Sequence, residues 1–128
     1  MKKRFKLDWV LSNELAVGPA PRKKSHFEYL ANKNIKCILN LCNEKEAPID
    51  DIYKSAFNFK RYTLPDHKVN KEIELYEVKE IIQIIETLLS YGAIYIHCFA
   101  GVERSPLVCM AWLISKHKLT PQRALDYL

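Results

Sequence analysis

The sequence predicts an α/β fold: a central, mostly parallel sheet of four to five strands flanked by helices. Three observations carry that expectation. Short apolar runs rich in β-branched residues alternate with longer stretches whose apolar residues recur at three- and four-residue steps. The runs 35–41 (IKCILNL) and 93–97 (AIYIH) are apolar almost throughout, as strands buried on both faces are. Within 128 residues there is no repeat, linker or low-complexity stretch, so one domain accounts for the whole chain, residues 1–128.

Each element has a local reason. Residues 9–11 and 15–17 form a short strand pair, closed by the turn Gly18-Pro19-Ala20-Pro21. Residues 25–33 are expected as a helix capped by Ser25, with Phe27, Leu30 and Ala31 on one side. A strand follows over 35–41. Asp50 and Asp51, beside Pro48, look like the acidic first turn of a helix. Residues 58–64 are a further strand.

The spacing of Ile73, Val78, Ile81, Ile82, Ile85, Leu88 and Leu89 predicts a long helix over 71–91, stopped by Gly92 at C′. A strand over 93–97 leads to a buried helix over 104–116, carrying Leu107, Val108, Met110, Ala111, Trp112 and Ile114. Thr120 and Pro121 are a good cap and first position for a last helix, expected to run to the chain end without a C-cap.

Composition narrows the function classes. The chain is 48% hydrophobic and 27% charged, with a net charge of +5. That balance suits a soluble globular protein. It favours acidic partners: phosphoproteins, anionic lipid headgroups or, less readily, nucleic acid. The excess is spread out except at Lys2-Lys3-Arg4 and Arg22-Lys23-Lys24. No apolar h-region follows MKKRF, and no stretch has the length or apolarity of a membrane span. Cys37, Cys42, Cys98 and Cys109 lack zinc-ligand spacing and a secreted framework pattern, which points to a reducing, cytoplasmic setting.

Chemistry concentrates in residues 97–105: His97, Cys98, Phe99, Ala100, Gly101, Val102, Glu103, Arg104 and Ser105. A loop leaving a buried strand and entering a helix turns backbone N–H groups inward, and the helix adds unpaired donors at its positive end. Such a cradle holds a tetrahedral dianion. Gly101 lets the backbone turn sharply where a side chain would clash. Arg104 can hold two phosphate oxygens with its planar fork. Cys98 at the base of the cradle is expected to have a depressed pKa and to attack phosphorus as a thiolate. Ser105 can donate to the sulfur and help it leave. His97 fixes the loop and steadies the thiolate.

The stretch HCFAGVERS resembles the His-Cys-x5-Arg-Ser signature of the protein tyrosine phosphatase superfamily, and the chain is similar to its small dual-specificity phosphatases. The likeness extends from Leu15-Ala16-Val17-Gly18 through Ile38-Leu39-Asn40-Leu41 to Ala124-Leu125. It implies a cysteine-phosphatase-like fold, a phospho-cysteine intermediate, phosphomonoester substrates, no metal and no cofactor.

The resemblance also implies a general acid on a loop ahead of the cysteine. Asp66, in Leu64-Pro65-Asp66-His67, matches it. Its task is to protonate the leaving oxygen and then, as carboxylate, to activate water. The bland alternative is a turn aspartate, and His67 reads as a solvated loop histidine. Asn40 is either a hydrogen-bond partner of the phosphate loop or a turn-initiating residue. Asn40-Leu41-Cys42-Asn43-Glu44 resembles the tensin-like phosphatases, which implies Cys42 as a redox partner of Cys98; the alternative is a small buried hydrophobe. Cys37 and Cys109 read as core.

Phe99, Ala100, Val102 and Glu103 depart from the lysine-bearing loops of the superfamily's phosphoinositide phosphatases. An apolar rim suits a phosphotyrosine ring or peptide side chain. Three classes therefore remain: a dual-specificity protein phosphatase, a phosphatase on phosphoinositide, RNA 5′-phosphate or sugar phosphate, and a phosphate-binding module without turnover. A rhodanese-like sulfur-transfer site explains the arginine–serine pair less well.

Overall fold

A computed structural model describes residues 4–42, 48–64, 74–98 and 104–126, without the side chains of Arg104 and Leu125. Its strands are β1 (Asp8–Leu11), β2 (Leu15–Gly18), β3 (Ile35–Asn40), β4 (Asn58–Arg61) and β5 (Ala93–His97). Its helices are α1 (Lys24–Asn32), α2 (Asp51–Ala56), α3 (Leu75–Leu89), α4 (Arg104–Lys116) and α5 (Pro121–Leu125). The strands form one sheet in the order β1-β2-β5-β3-β4. Only the β1–β2 pair is antiparallel; β2–β5, β5–β3 and β3–β4 are parallel. The expected mostly parallel sheet flanked by helices is therefore present.

The two faces of the sheet hold separate apolar clusters. On one face Leu15, Cys37, Leu39, Ile94, Ile96 and Cys98 pack with Ile81 and Ile85 of α3, Val108, Cys109, Trp112 and Leu113 of α4, and Ala124 of α5. On the other, Ala16, Ile38 and Tyr95 pack with Phe27 and Leu30 of α1. Because side chains alternate along a strand, consecutive residues of β3 and β5 serve opposite layers, so both strands are apolar at most positions, with Lys36 exposed near the start of β3.

Several expected boundaries move. Lys23, in extended conformation (φ −145, ψ 165), is the N-cap of α1, and no side chain caps it. The Lys23 carbonyl takes the N–H groups of His26 and Phe27, which leaves Ser25 inside the first turn rather than at the cap. Ala31 stays exposed beside buried Phe27 and Leu30. Both β3 and β4 are shorter than expected. Beyond them the pairing continues irregularly, with Tyr62 N–H on Asn40 O (2.9 Å) and Leu64 N–H on Leu41 O (3.1 Å).

The described part of the long helix starts at Leu75; residues 71–73 lie outside the described residues. The Glu74 N–H donates to Glu77 Oε1 at 3.0 Å and closes that end. The helix stops at Leu89, with Ser90 as C-cap, so Gly92 lies one residue past C′. Gly92 has φ +139, and a Cβ there would meet Lys36 Cγ at 2.5 Å.

Along α4 the burial is one-sided. Val108, Cys109, Trp112 and Leu113 are buried, whereas Leu107 and Ile114 are 46% and 37% exposed and do not belong to the core. The last helix ends at Leu125 with Asp126 as C-cap instead of running to the chain end. Its start is as expected: Thr120 Oγ1 accepts from Arg123 N–H at 3.2 Å and Pro121 opens the helix. Among the described residues no helix is long and apolar enough to cross a membrane.

Candidate active site

Residues of four adjacent strands line up at the carboxyl edge of the sheet. Gly18 is the register partner of His97, His97 that of Asn40, and Asn40 that of Arg61. In open α/β sheets this edge is where ligands bind. The central strand β5 delivers His97 and Cys98 to it, and α4 begins six residues after the cysteine, at Arg104. The expected strand before the candidate nucleophile and the expected helix after it are both in place.

Cys98 is 2% exposed and packs in the same apolar cluster as Cys42, which is fully buried. Leu41 N–H donates to His97 O at 2.9 Å, so the segment carrying Cys42 continues directly alongside the one carrying Cys98. His97 is 1% exposed, with its ring centroid 6.0 Å from that of Tyr95. Ser105, in the first turn of α4, is fully buried, and among the described residues its hydroxyl has no hydrogen-bond partner. A buried hydroxyl held without a partner costs stability.

Asn40 Oδ1 accepts the Cys42 N–H at 2.8 Å, the local turn expected as one of its two readings. Asp66, His67, Phe99, Ala100, Gly101, Val102 and Glu103 lie outside the described residues, as does the side chain of Arg104. The two other thiols are core groups. Cys37 donates to Leu88 O at 3.2 Å. Burial pushes the Cys37 thiol up to about 11 and that of Cys109 to about 12. Among the described residues no cluster of His, Cys, Asp or Glu is arranged to hold a metal.

Sequence reasoning missed the groups that brace this edge. The Tyr95 hydroxyl donates to Pro19 O at 2.5 Å, tying β5 to the segment after β2. Burial is the largest cause of an upward shift of the Tyr95 phenol, followed by the Tyr29, Asp8 and Cys98 charges. A Cβ on Gly18 would come within 2.4 Å of that hydroxyl, so the close approach requires glycine. Arg61 Nη1 donates to Cys42 O at 2.7 Å and holds the other end of the Asn40 turn. The available signal was alternation: Tyr95 sits two residues before His97 on a strand already read as buried.

Comparison with known proteins agrees with this geometry. Residues 18–128 match the family model described as dual specificity phosphatase, catalytic domain. The chain is 27% identical over 105 residues to human dual specificity protein phosphatase 5, covering 81% of this chain and 26% of that protein. It thus spans about a quarter of that relative's length. Tk-PTP in its active form superposes with a TM-score of 0.80 at 21% identity, covering 94% of this chain and 80% of that one. PTPMT1 in complex with PI(5)P gives 0.78 at 19% identity, over 94% and 80%. These two structures share the fold.

Proposed function

The chain belongs to the dual-specificity phosphatase catalytic-domain family, and from that premise we propose that it hydrolyses phosphomonoesters of proteins through a phospho-cysteine on Cys98. Phosphotyrosine is the main substrate class, with phosphoserine and phosphothreonine beside it. Residues 1–128 act as one catalytic domain in a cytoplasmic setting, to which buried cysteine thiols are suited.

In the first step the Cys98 sulfur attacks phosphorus and the ester oxygen leaves with a proton from Asp66. In the second, Asp66 as carboxylate takes a proton from water, the water oxygen attacks phosphorus, and the sulfur departs as thiolate. Arg104 and the N–H groups of residues 99–103 hold the phosphoryl oxygens. Ser105 donates to the departing sulfur. His97 positions the loop.

One observation carries this reading: Cys98 follows the central, fully buried strand β5 at the carboxyl edge of the sheet, and α4 starts at Arg104. Ser105, buried in the first turn of α4 with no hydrogen-bond partner for its hydroxyl among the described residues, is the donor this reading assigns to the sulfur. A phosphoinositide is the second substrate reading, since PTPMT1 bound to PI(5)P shares the fold. The acidic Glu103 and the lack of lysine in residues 99–103 weigh against a polyphosphorylated ring.

The test is p-nitrophenyl phosphate hydrolysis with a metal chelator, by wild type and Cys98→Ser. Turnover lost in the variant, with phosphate binding kept, supports the cysteine mechanism. Near-wild-type turnover in Cys98→Ser removes Cys98 as nucleophile.

A further inference from the structure

Residues 19–24 leave β2 beside the nucleophile-bearing strand, because Gly18 is the register partner of His97. Two hydrogen bonds fix this segment. Pro19 O accepts from Tyr95, three residues before Cys98, at 2.5 Å. Arg22 N–H donates to His26 Nδ1 at 2.9 Å. Between them Ala20 and Pro21 are buried. The backbone is therefore pinned at both ends, and the exposed Arg22, Lys23 and Lys24 project from it consecutively. The only ion pair recorded for the lysines among the described residues is Lys24 to Glu28 at 3.8 Å, between side chains 81% and 61% exposed. A pair so exposed is weak and readily exchanged.

We propose that Arg22, Lys23 and Lys24 form a cationic rim beside the sheet edge that holds Cys98, and that this rim selects phosphopeptides with acidic side chains flanking the phosphorylated residue. The proposal rests on the phosphatase reading and names the substrate subclass. From Gly18 to Lys23 the chain spans at most about 17 Å, so the rim meets carboxylates or a second phosphate within about five extended residues of the scissile group. Flexible lysines recognise such flanks as point charges, through association rate and salt dependence more than through geometry. A peptide fits better than a membrane because the cations are confined to one short segment at the edge holding the nucleophile.

The experiment compares wild type, K23E/K24E and K33E/K36E. The last makes the same charge change at the opposite end of α1, where β3 begins. Glutamate is favoured at helix starts, so K23E/K24E retains the fold, and K23Q/K24Q repeats the test with neutral residues. Three readouts are taken: kcat/KM on p-nitrophenyl phosphate, kcat/KM on phosphopeptides with acidic or neutral flanks, and polarisation of the acidic phosphopeptide bound to Cys98→Ser with either background.

K23E/K24E is expected to lower kcat/KM on the acidic peptide about tenfold, with less than about twofold change on the other substrates, and K33E/K36E to behave as wild type. The wild-type preference for acidic flanks should shrink with added salt. An unmoved preference in K23E/K24E, or an equal loss in K33E/K36E, overturns the rim. So does rim-dependent binding to phosphatidylserine vesicles with peptide preference unchanged, which assigns the cations to a lipid surface. If wild type does not turn over p-nitrophenyl phosphate while polarisation still depends on Lys23 and Lys24, the catalytic reading fails and the rim stands.

Discussion

The Cys42 N–H donates to the side-chain oxygen of Asn40 at 2.8 Å, and Asn40 is itself the register partner of His97. One amide side chain thus shapes the turn that runs beside the candidate nucleophile. Arg61 closes the same turn from β4 through Cys42 O. The bond is buried, so Asn40→Ala leaves the Cys42 N–H without that acceptor. We expect a loss of about 1–3 kcal/mol in urea unfolding, and a lower kcat with little change in KM. Wild-type stability in the variant would show that the turn holds without the amide.

Ser105→Ala separates folding from chemistry. The hydroxyl is buried without a partner among the described residues, so its removal should leave stability unchanged or raise it by up to about 1 kcal/mol. Hydrolysis of the phospho-cysteine should slow, giving a burst of nitrophenol followed by a reduced steady rate in stopped flow. An unchanged steady rate with no burst would deny Ser105 that role.

Asp66→Asn tests the acid. Substrates with poor leaving groups, such as alkyl phosphates and phosphotyrosine, should lose far more kcat than aryl esters of acidic phenols, which leave without a proton. Equal losses across the series would place the general acid elsewhere.

The four thiols should divide by environment. Cys37 and Cys109, with thiols pushed up to about 11 and about 12 by burial, should resist iodoacetamide at neutral pH in the folded protein. Cys98 should alkylate first and be protected by phosphate. Peroxide should join Cys42 and Cys98 in an intramolecular disulfide, seen as a mass two hydrogens lower that a thiol restores. Intact masses showing only sulfinic or sulfonic Cys98 would remove Cys42 as its redox partner.

His26 makes stability pH-dependent. Burial, then the Lys23 and Arg22 charges, lower its pKa from 6.5, and the ring must be neutral for Nδ1 to accept the Arg22 N–H. The unfolded chain therefore takes up a proton before the folded one. The His26 contribution is complete above pH 6.5 and is lost as pH falls from there toward the folded value. His26→Phe keeps a ring beside Phe5, which now stacks at 4.1 Å, and removes the titration. Its Tm should fall less than that of wild type between neutral pH and about pH 5. Identical pH profiles would show that His26 does not carry the effect.

Legibility in the sequence followed the range of the forces involved. Residues 93–97 and 104–116 were bounded correctly because their causes are local: an apolar strand set off by Gly92, and a periodic helix after the loop. The reading of 58–64 as one strand was too long because β4 is the edge strand, where one-sided pairing ends early. Periodicity identifies the apolar stripe of α4 but not how far its neighbours reach, so Leu107 and Ile114 read as buried in the sequence and are exposed in the structure. For the candidate site, spacing places Cys98 and Ser105 on either side of residues 99–104, and the structure puts the first after β5 and the second in the first turn of α4. The Tyr95–Pro19 and Arg22–His26 bonds were not: the first joins residues 76 apart, and the second depends on how α1 begins.

The order of the sheet has a consequence for how the molecule is made. Among the described residues the last strand in sequence is β5, which leads into Cys98, yet it sits between β2 and β3, which do not pair with each other. During synthesis the β1–β2 hairpin and the β3–β4 pair can form early, and α1 can pack on Ala16 and Ile38, but no strand pairs across the gap until β5 has been made. Nascent chains that hold β2 and β3 but lack β5 expose two inner edges able to pair wrongly. Completion of the sheet and placement of Cys98 at its edge are therefore one event.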